Sequence, residues 1–391
     1  MSLLYCLTHP VQYQVPLVRH LIDGGVDIEV VYRTLGAVEG YFDHGFNQEI
    51  VWDVPLLAGY PYTSLPSNLG FRSTLQYFNQ AFQDRKPQAT WIHGWGSAYA
   101  RAAWLAARHL RIPVLMRGDS QLAAFKGSSL KRILHRWVFS RLFRTVSHFL
   151  AVGSANKAFY LHYGVPEDRI TTMPYAVDNQ FFRQRAMDSS ARRQDFRDAL
   201  NLPPNRPVVL YVGKLHPDKS PETLIRAVSQ LVSAQTSSSP PILLMVGDGE
   251  MRHTLETQAA GLPPDTVRFL GFRNQTELPA FYDLCDIFVL PSVFEPWGLV
   301  VNEVMNASKP VIVSDRVGAA DDLVKNGVNG FVFPAGSVDA LAGLLSKLIA
   351  DPALREASGR QSAAIIRNWG FEQDLTALQS ALQHLSIFKE G

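Results

Sequence analysis

Apolar and polar positions along the chain switch repeatedly between two rhythms. Short, nearly continuous runs of β-branched and aliphatic residues predict strands at Leu3–Thr8, Asp27–Tyr32, Ala89–His93, Pro113–Arg117 and His148–Val152. Helical patterns fill the spaces between and after them, as at Ser97–Leu110 and Ser154–Tyr163. A second series places strands at Val208–Val212, Ile242–Val246, Val267–Leu270, Ile287–Leu290, Pro310–Ser314 and Gly330–Phe333. Between the first two of these, Leu224, Ile225, Val228, Leu231 and Val232 recur on one helix face. Ser220 reads as the N-cap of that helix and Pro221 as its first residue. Strands that alternate with helices in this way belong to an α/β chain with parallel sheets covered on both faces.

Two stretches break the rhythm. Gly36–Gly70 is rich in glycine, proline and aromatics, has no period, and reads as a long decorated connection. The segment 184–206 is polar and runs into Pro203-Pro204-Asn205-Arg206-Pro207, as an interdomain linker would. It separates an N-terminal domain, 1–183, from a C-terminal one, 207–369. A length of 391 residues suits two domains. Two open α/β domains imply a cleft, with ligands held outside the carboxyl ends of the strands.

Composition removes several classes of function. With 47% hydrophobic and 18% charged residues the chain can bury two ordinary cores. A formal net charge of +2 does not point to a nucleic-acid partner. The two cysteines, Cys6 and Cys285, lie far apart on apolar runs and read as buried free thiols in a reducing compartment. The N-terminus has no basic leader and no apolar run approaches membrane-spanning length, so the expected location is cytoplasmic.

The densest chemistry lies just after the strand at Ile287–Leu290, in Phe294-Glu295-Pro296-Trp297-Gly298-Leu299-Val300-Val301-Asn302-Glu303. On one straight helix the two carboxylates would stand ~12 Å apart and off a common face. With Glu295 in a bend at Pro296–Gly298 and Glu303 on the helix behind it, both can be aimed at one ligand. Carboxylates grip sugar hydroxyls well, because charge-assisted hydrogen bonds are strong. Gly298 and Leu299 would present backbone N–H groups to a diphosphate. Two cations, Lys214 and Lys219, follow the strand Val208–Val212 and can offset charge on a leaving diphosphate. Alone, such acids and lysines are ordinarily surface groups.

The Phe-Glu-Pro-Trp-Gly-Leu-Val string, its spaced glutamates and the later Lys309-Pro310-Val311-Ile312-Val313 resemble the signature of the family 4 retaining glycosyltransferases. Tyr211-Val212-Gly213-Lys214-Leu215 through Lys219-Ser220 resembles that family's Gly-Arg-Leu…Lys-Gly segment, with Lys214 at the usual arginine and Ser220 at the usual glycine. The resemblance is strong over 207–345, diffuse over 148–182 and faint earlier. It implies the GT-B fold, two Rossmann-like domains facing across a cleft, with helices near 370–391 completing the N-terminal domain. It also implies a UDP- or GDP-type sugar donor, with Lys214 and Lys219 on the pyrophosphate and Gly298, Leu299 and Val300 beside it. Phe272 and Arg273 would line the base, Glu303 would hold the ribose, and Glu295 would face the transferred sugar. Pro174-Tyr175-Ala176-Val177-Asp178 resembles the family's interdomain hinge, with Tyr175-Ala176 replacing the usual Asn-Gly.

The acceptor side is less legible. Where members of that family place a histidine, this chain has Leu115-Met116-Arg117-Gly118-Asp119. Asp119 can orient an acceptor hydroxyl and Arg117 can fix it, or the two can form a structural turn; His93 and His9 are further candidates. The stretch 126–144 carries Lys126, Lys131, Arg132, Arg136, Arg141 and Arg144 with no acid, interleaved with aromatic and aliphatic residues. It suits either an anionic membrane surface, making the protein peripheral at the inner face, or an ordinary amphipathic helix. No Asp-x-Asp triplet or His/Cys cluster has metal-ligand spacing, so transfer without a metal or other cofactor is expected. The implied acceptor is a glycan or lipid-linked hydroxyl. Two other readings stay open: a nucleotide-sugar epimerase or hydrolase, and a catalytically silent nucleotide-sugar-binding subunit.

Overall fold

The computed structural model of the protein describes residues 2–66, 68–124, 129–234 and 240–387. The chain divides into two compact units. One comprises 1–41, 54–176 and 370–391; the other comprises 42–53 and 177–369. Each is built on its own parallel sheet.

In the first unit the strands are β1 (Ser2–Leu7), β2 (Asp27–Tyr32), β5 (Tyr62–Ser64), β6 (Ala89–His93), β7 (Val114–Gly118), β8 (His148–Ala151) and β9 (Ile170–Thr172). β3 (Tyr41–Asp43) and β4 (Gln48–Ile50) form a separate small sheet. The seven-stranded order is β5-β2-β1-β6-β7-β8-β9, parallel throughout. Its strand order reverses between β1 and β6. The helix Ala98–His109 lays Ala102, Ala103, Ala106 and Ala107 against the sheet, and these small residues let it approach closely. β5 and β9, each three residues long, are too short to reveal a period in sequence.

The second unit contains β10 (Val208–Val212), β11 (Ile242–Val246), β12 (Val267–Gly271), β13 (Ile287–Leu290), β14 (Val311–Ser314) and β15 (Gly330–Phe333). Their order, β12-β11-β10-β13-β14-β15, is that of a doubly wound dinucleotide-binding sheet, with its reversal between β10 and β13. β10, β11, β13 and β14 are buried at every position, as central parallel strands covered on both faces must be.

Two local expectations change, and a third gains detail. The stretch read as a linker holds the helices Asn179–Ser190 and Arg193–Ala199. They dock on the helix Leu278–Leu284, where Arg193 donates to both oxygens of Asp283 at 2.8 and 2.5 Å. Ser220 does not cap with its side chain; it adopts a left-handed backbone (φ 48°), and its hydroxyl bonds Glu222 and Thr223 instead. That conformation explains why glycine is usual at this position in the resembling family. Gly36–Gly70, read as a decorated connection, carries the short helix Gly36–Glu39 and strands β3, β4 and β5.

Cys6 and Cys285 are free and buried, and burial pushes both thiols up to about 12. Among the described residues no helix is long and apolar enough to cross a membrane.

Candidate functional site

The loops that leave β10 and β13 meet beside the reversal of the second sheet, where such sheets bind ligands. The first carries Lys214 and Lys219, the second Glu295. Lys219 donates its ammonium to Glu295, and both side chains are largely shielded, 21% and 13% exposed. Glu295 is held in place by its backbone: its N–H bonds Arg316 and its carbonyl accepts from Gly318. The turn that follows depends on Gly298, which has φ +93°. A Cβ there would lie 3.1 Å from both Leu290 and Val317 and 3.3 Å from Glu295. The helix Leu299–Met305 starts at that turn, so Leu299 and Val300 are its first residues. Trp297 braces the bend, with its indole N–H on Asn302 at 2.9 Å and its ring stacked on Trp369.

Glu303 sits differently from its partner in the motif. It is 1% exposed, and Tyr282 donates its hydroxyl to the carboxylate. The pair therefore divides into one carboxylate in the bend before the helix and one on the helix itself, buried against Tyr282.

Lys214 is also engaged. Its ammonium donates to both carboxylate oxygens of Asp43, at 2.8 and 3.0 Å, and lies 4.9 Å from the Phe46 ring centre. Burial alone would raise the Asp43 carboxyl, but Lys214 and the N–H groups of Phe46 and Gly45 outweigh it and hold it low. Asp43 and Phe46 belong to the arm 42–53, which groups with the second unit. Phe272 packs edge-on against Phe46 and Trp52 of the same arm. Arg273 turns to Glu277 at 3.5 Å. Nearby, Gly247 is obligatory, since a Cβ would lie 1.9 Å from the Gly213 carbonyl oxygen.

In the first unit the candidates separate. Arg117 is fully buried. It donates to the Met173 and Pro174 carbonyls at 3.2 and 2.5 Å and to Asp374 at 3.1 Å, and lies 5.0 Å from the Tyr175 ring. It ties the helix Phe371–Ile387 to β7 and cannot hold an acceptor. Burial raises the Asp374 carboxyl to about 7 against the pull of Arg117. Asp119, just past β7, lies at the surface, with its carboxyl raised by partial burial.

His93 ends β6 and is wedged between two phenols. Its Nδ1 lies 3.0 Å from the Tyr5 hydroxyl and its Nε2 lies 2.9 Å from that of Tyr175. Tyr5 donates to Gln14, so Nδ1 carries the proton and Nε2 accepts from Tyr175. Burial, aided by repulsion from Arg117, lowers the imidazole to about 3. His93 is thus a neutral packing group with both nitrogens in use. His9 differs, for it lines a cavity of about 710 Å³ beyond β1, β2 and β5, with Thr8, Arg33, Thr34, Glu39 and Asn68. Arg33 and Glu39 carry no motif, and nothing in the sequence singles them out.

The helix Ser129–Phe143 is amphipathic in an unusual sense. Phe139 and Phe143 pack on Trp95 at 4.5 and 6.2 Å, while Ile133, Leu134 and Trp137 face solvent, 66%, 60% and 54% exposed. Lys131, Arg132, Arg136 and Arg141 surround them, Arg141 lying 3.9 Å over the Trp137 ring. Lys126 lies outside the described residues. Among the described residues no group of three or more His, Cys, Asp or Glu could hold a metal ion.

Comparison with known proteins agrees with this architecture. Residues 192–364 match the family described as glycosyl transferases group 1, and residues 12–181 match glycosyltransferase family 4. The α-D-kanosaminyltransferase of Streptomyces kanamyceticus is 31% identical over 203 residues, 51% of this chain and 50% of the relative. A D-inositol 3-phosphate glycosyltransferase of Corynebacterium efficiens is 29% identical over 307 residues, 74% of this chain and 69% of the relative. Thus the matched stretch spans about half the length of the first relative and about two thirds of the second. Anabaena HepE, solved with UDP and glucose, superposes with a TM-score of 0.73 at 20% identity, covering 98% of this chain and 99% of its own. Another HepE crystal structure contains UDP-glucose. The two family matches cover nearly all of both parallel-sheet units, and the chain belongs to the group 1, family 4 glycosyltransferases of the GT-B fold.

Proposed function

We propose that the protein is a retaining glycosyltransferase that moves a sugar from a nucleotide-diphosphate donor to a hydroxyl of a glycan or lipid-linked acceptor. The observation that carries this reading is the Lys219–Glu295 pair at the strand-order reversal, with Lys214 on the same β10 loop. The HepE complexes with UDP and UDP-glucose support a uridine donor. On this reading Lys214 and Lys219 take the pyrophosphate, Glu295 orients the sugar, and Gly298, Leu299 and Val300 bring backbone N–H groups to the phosphates. Phe272 borders the base. Glu303, buried on the helix Leu299–Met305 with Tyr282, supports the ribose end.

The chemistry needs no enzymic nucleophile. The bond from the anomeric carbon to the diphosphate oxygen breaks while the acceptor oxygen bonds to the same face of that carbon. The acceptor proton passes to the departing phosphate oxygen. Charge that builds on the diphosphate is offset by the two ammonium groups, which takes the place of a metal in this proposal. In the first unit, the cavity holding His9, Arg33 and Glu39 suits the acceptor better than Arg117 does. The exposed apolar and basic face of the helix Ser129–Phe143 supports attachment to an anionic bilayer, where a lipid-linked acceptor would reside.

The test is product analysis. Purified protein is incubated with uridine and guanosine diphosphate sugars and candidate acceptors, with and without chelator. A heavier acceptor carrying the retained anomer, at a rate unaffected by chelator, is the expected result. Nucleotide release with free sugar alone would favour a hydrolase, and an inverted anomer would end the retaining reading.

A further inference from the structure

The arm 42–53 interrupts the first unit in sequence yet groups with the second, and its contacts there are specific. Asp43 takes the ammonium of Lys214 with both oxygens. The same carboxylate also accepts from the N–H groups of Gly45 and Phe46, at 2.7 and 3.1 Å, which pins it at the tip of the β3–β4 hairpin. Further along, Trp52 packs on Phe272, the Val51 carbonyl accepts from Asn274 at 2.6 Å, and Asp53 accepts from Thr276.

The fit is close. A Cβ on Gly45 would lie 2.6 Å from the Lys214 side chain, and a Cβ on Gly249 would lie 2.9 Å from the Gly45 carbonyl. Little room is left over the loop after β10. The arm therefore presents an anion to a cation proposed for the donor diphosphate, and aromatic rings to the residue proposed for its base.

We infer that the arm is a built-in stand-in for the donor: the Asp43 carboxylate holds the phosphate position on Lys214, while Phe46 and Trp52 cover Phe272. Donor and arm then compete for one cation, and donor entry displaces Asp43. Until then Lys214 keeps a partner and the site does not admit stray anions. This inference rests on the donor reading of Lys214 given above. Competition of this kind is a coupling free energy, so removing the arm's charge must tighten the donor by the same factor that the charge now weakens it.

The experiment is titration calorimetry of UDP and GDP with the full chain and two variants. Asp43→Asn keeps an acceptor for Gly45 and Phe46 but removes the charge; Lys214→Ala removes the cation. Because the pair is part-exposed, Asp43→Asn is expected to bind nucleotide roughly fivefold tighter, and Lys214→Ala to bind more weakly than wild type. In wild type, nucleotide should also shift Trp52 fluorescence, a signal lost in Trp52→Phe. If Lys214→Ala weakens binding but Asp43→Asn binds equally or less tightly, the stand-in inference fails and the donor reading survives. If Lys214→Ala binds nucleotide as wild type does, the donor reading of Lys214 fails and the inference falls with it.

Discussion

Lys219 and Glu295 lie 76 positions apart and form an ion pair across the point where the second sheet reverses its strand order. Both side chains are largely shielded, so the cost of desolvating them offsets most of their attraction and the pair adds little net stability, about 0–1 kcal/mol. Its value lies in placing a carboxylate and an ammonium together at the ends of β10 and β13. Glu295→Ala should therefore leave the thermal midpoint nearly unchanged and lower turnover by roughly 100-fold, as loss of one preorganised polar contact does. Steady-state kinetics with a saturating donor checks this, and wild-type turnover would remove Glu295 from the site.

Arg117 offers the opposite expectation. Its guanidinium and the Asp374 carboxylate are both fully buried, so Arg117→Met strands an acid in the core and should destabilise the protein by about 3–5 kcal/mol. The loss should be larger at pH 8 than at pH 5. A carboxyl whose folded pKa is raised loses stability as pH climbs through that pKa, and Asp374 already stands at about 7 with its partner present. Denaturant unfolding at both pH values measures the difference. Acceptor KM of the folded fraction should not move.

His93 predicts the reverse slope in acid. The unfolded imidazole gains its proton near pH 6.5, but the folded one resists until about 3. Between those values acid favours the unfolded chain, by up to about 1.4 kcal/mol per pH unit for this one proton. His93→Gln should flatten that part of the stability profile, read as thermal midpoint from pH 7 to pH 4. An unchanged profile would mean that the imidazole is not held neutral.

Ile133, Leu134 and Trp137 make the helix Ser129–Phe143 a candidate membrane face. Each nearby cation contributes about 1 kcal/mol on an anionic bilayer, so replacing Lys131, Arg132 and Arg136 by glutamine should weaken binding to phosphatidylglycerol vesicles by about 100-fold. Co-sedimentation with phosphatidylcholine vesicles is the control. Equal binding to both lipids, or to neither, would end the electrostatic reading.

Most of the two sheets is legible in one dimension because buried parallel strands are continuous apolar runs. β10, β11 and β13 fall where those runs predict. The helix Asn179–Ser190 is not legible: it buries only Phe182 and Ala186, so its polar surface looks like a linker. In the candidate site, Glu295 and Lys219 are announced by their local strings and by the strands before them. Asp43 is not, because it meets Lys214 from 171 positions away and sits in a stretch with no period. Arg117 misleads for the same reason. A cation after a strand looks available until the carboxylate that neutralises it, 257 positions later, is in view. Gly298 and Ser220 show where a motif encodes backbone shape: both are left-handed, though only one is glycine.

The Arg117–Asp374 bond also sets an order of events on the ribosome. Synthesis proceeds at about 5–20 residues per second, so Arg117 waits on the order of tens of seconds before its counter-charge exists. Throughout that time the first unit lacks the helix Phe371–Ile387, while β10–β15 of the second unit are all made before it. Completion of the first unit therefore awaits residues made after β10–β15 of the second. A nascent chain stalled before residue 374 would hold an uncompensated guanidinium where the folded unit holds an ion pair with both side chains fully enclosed.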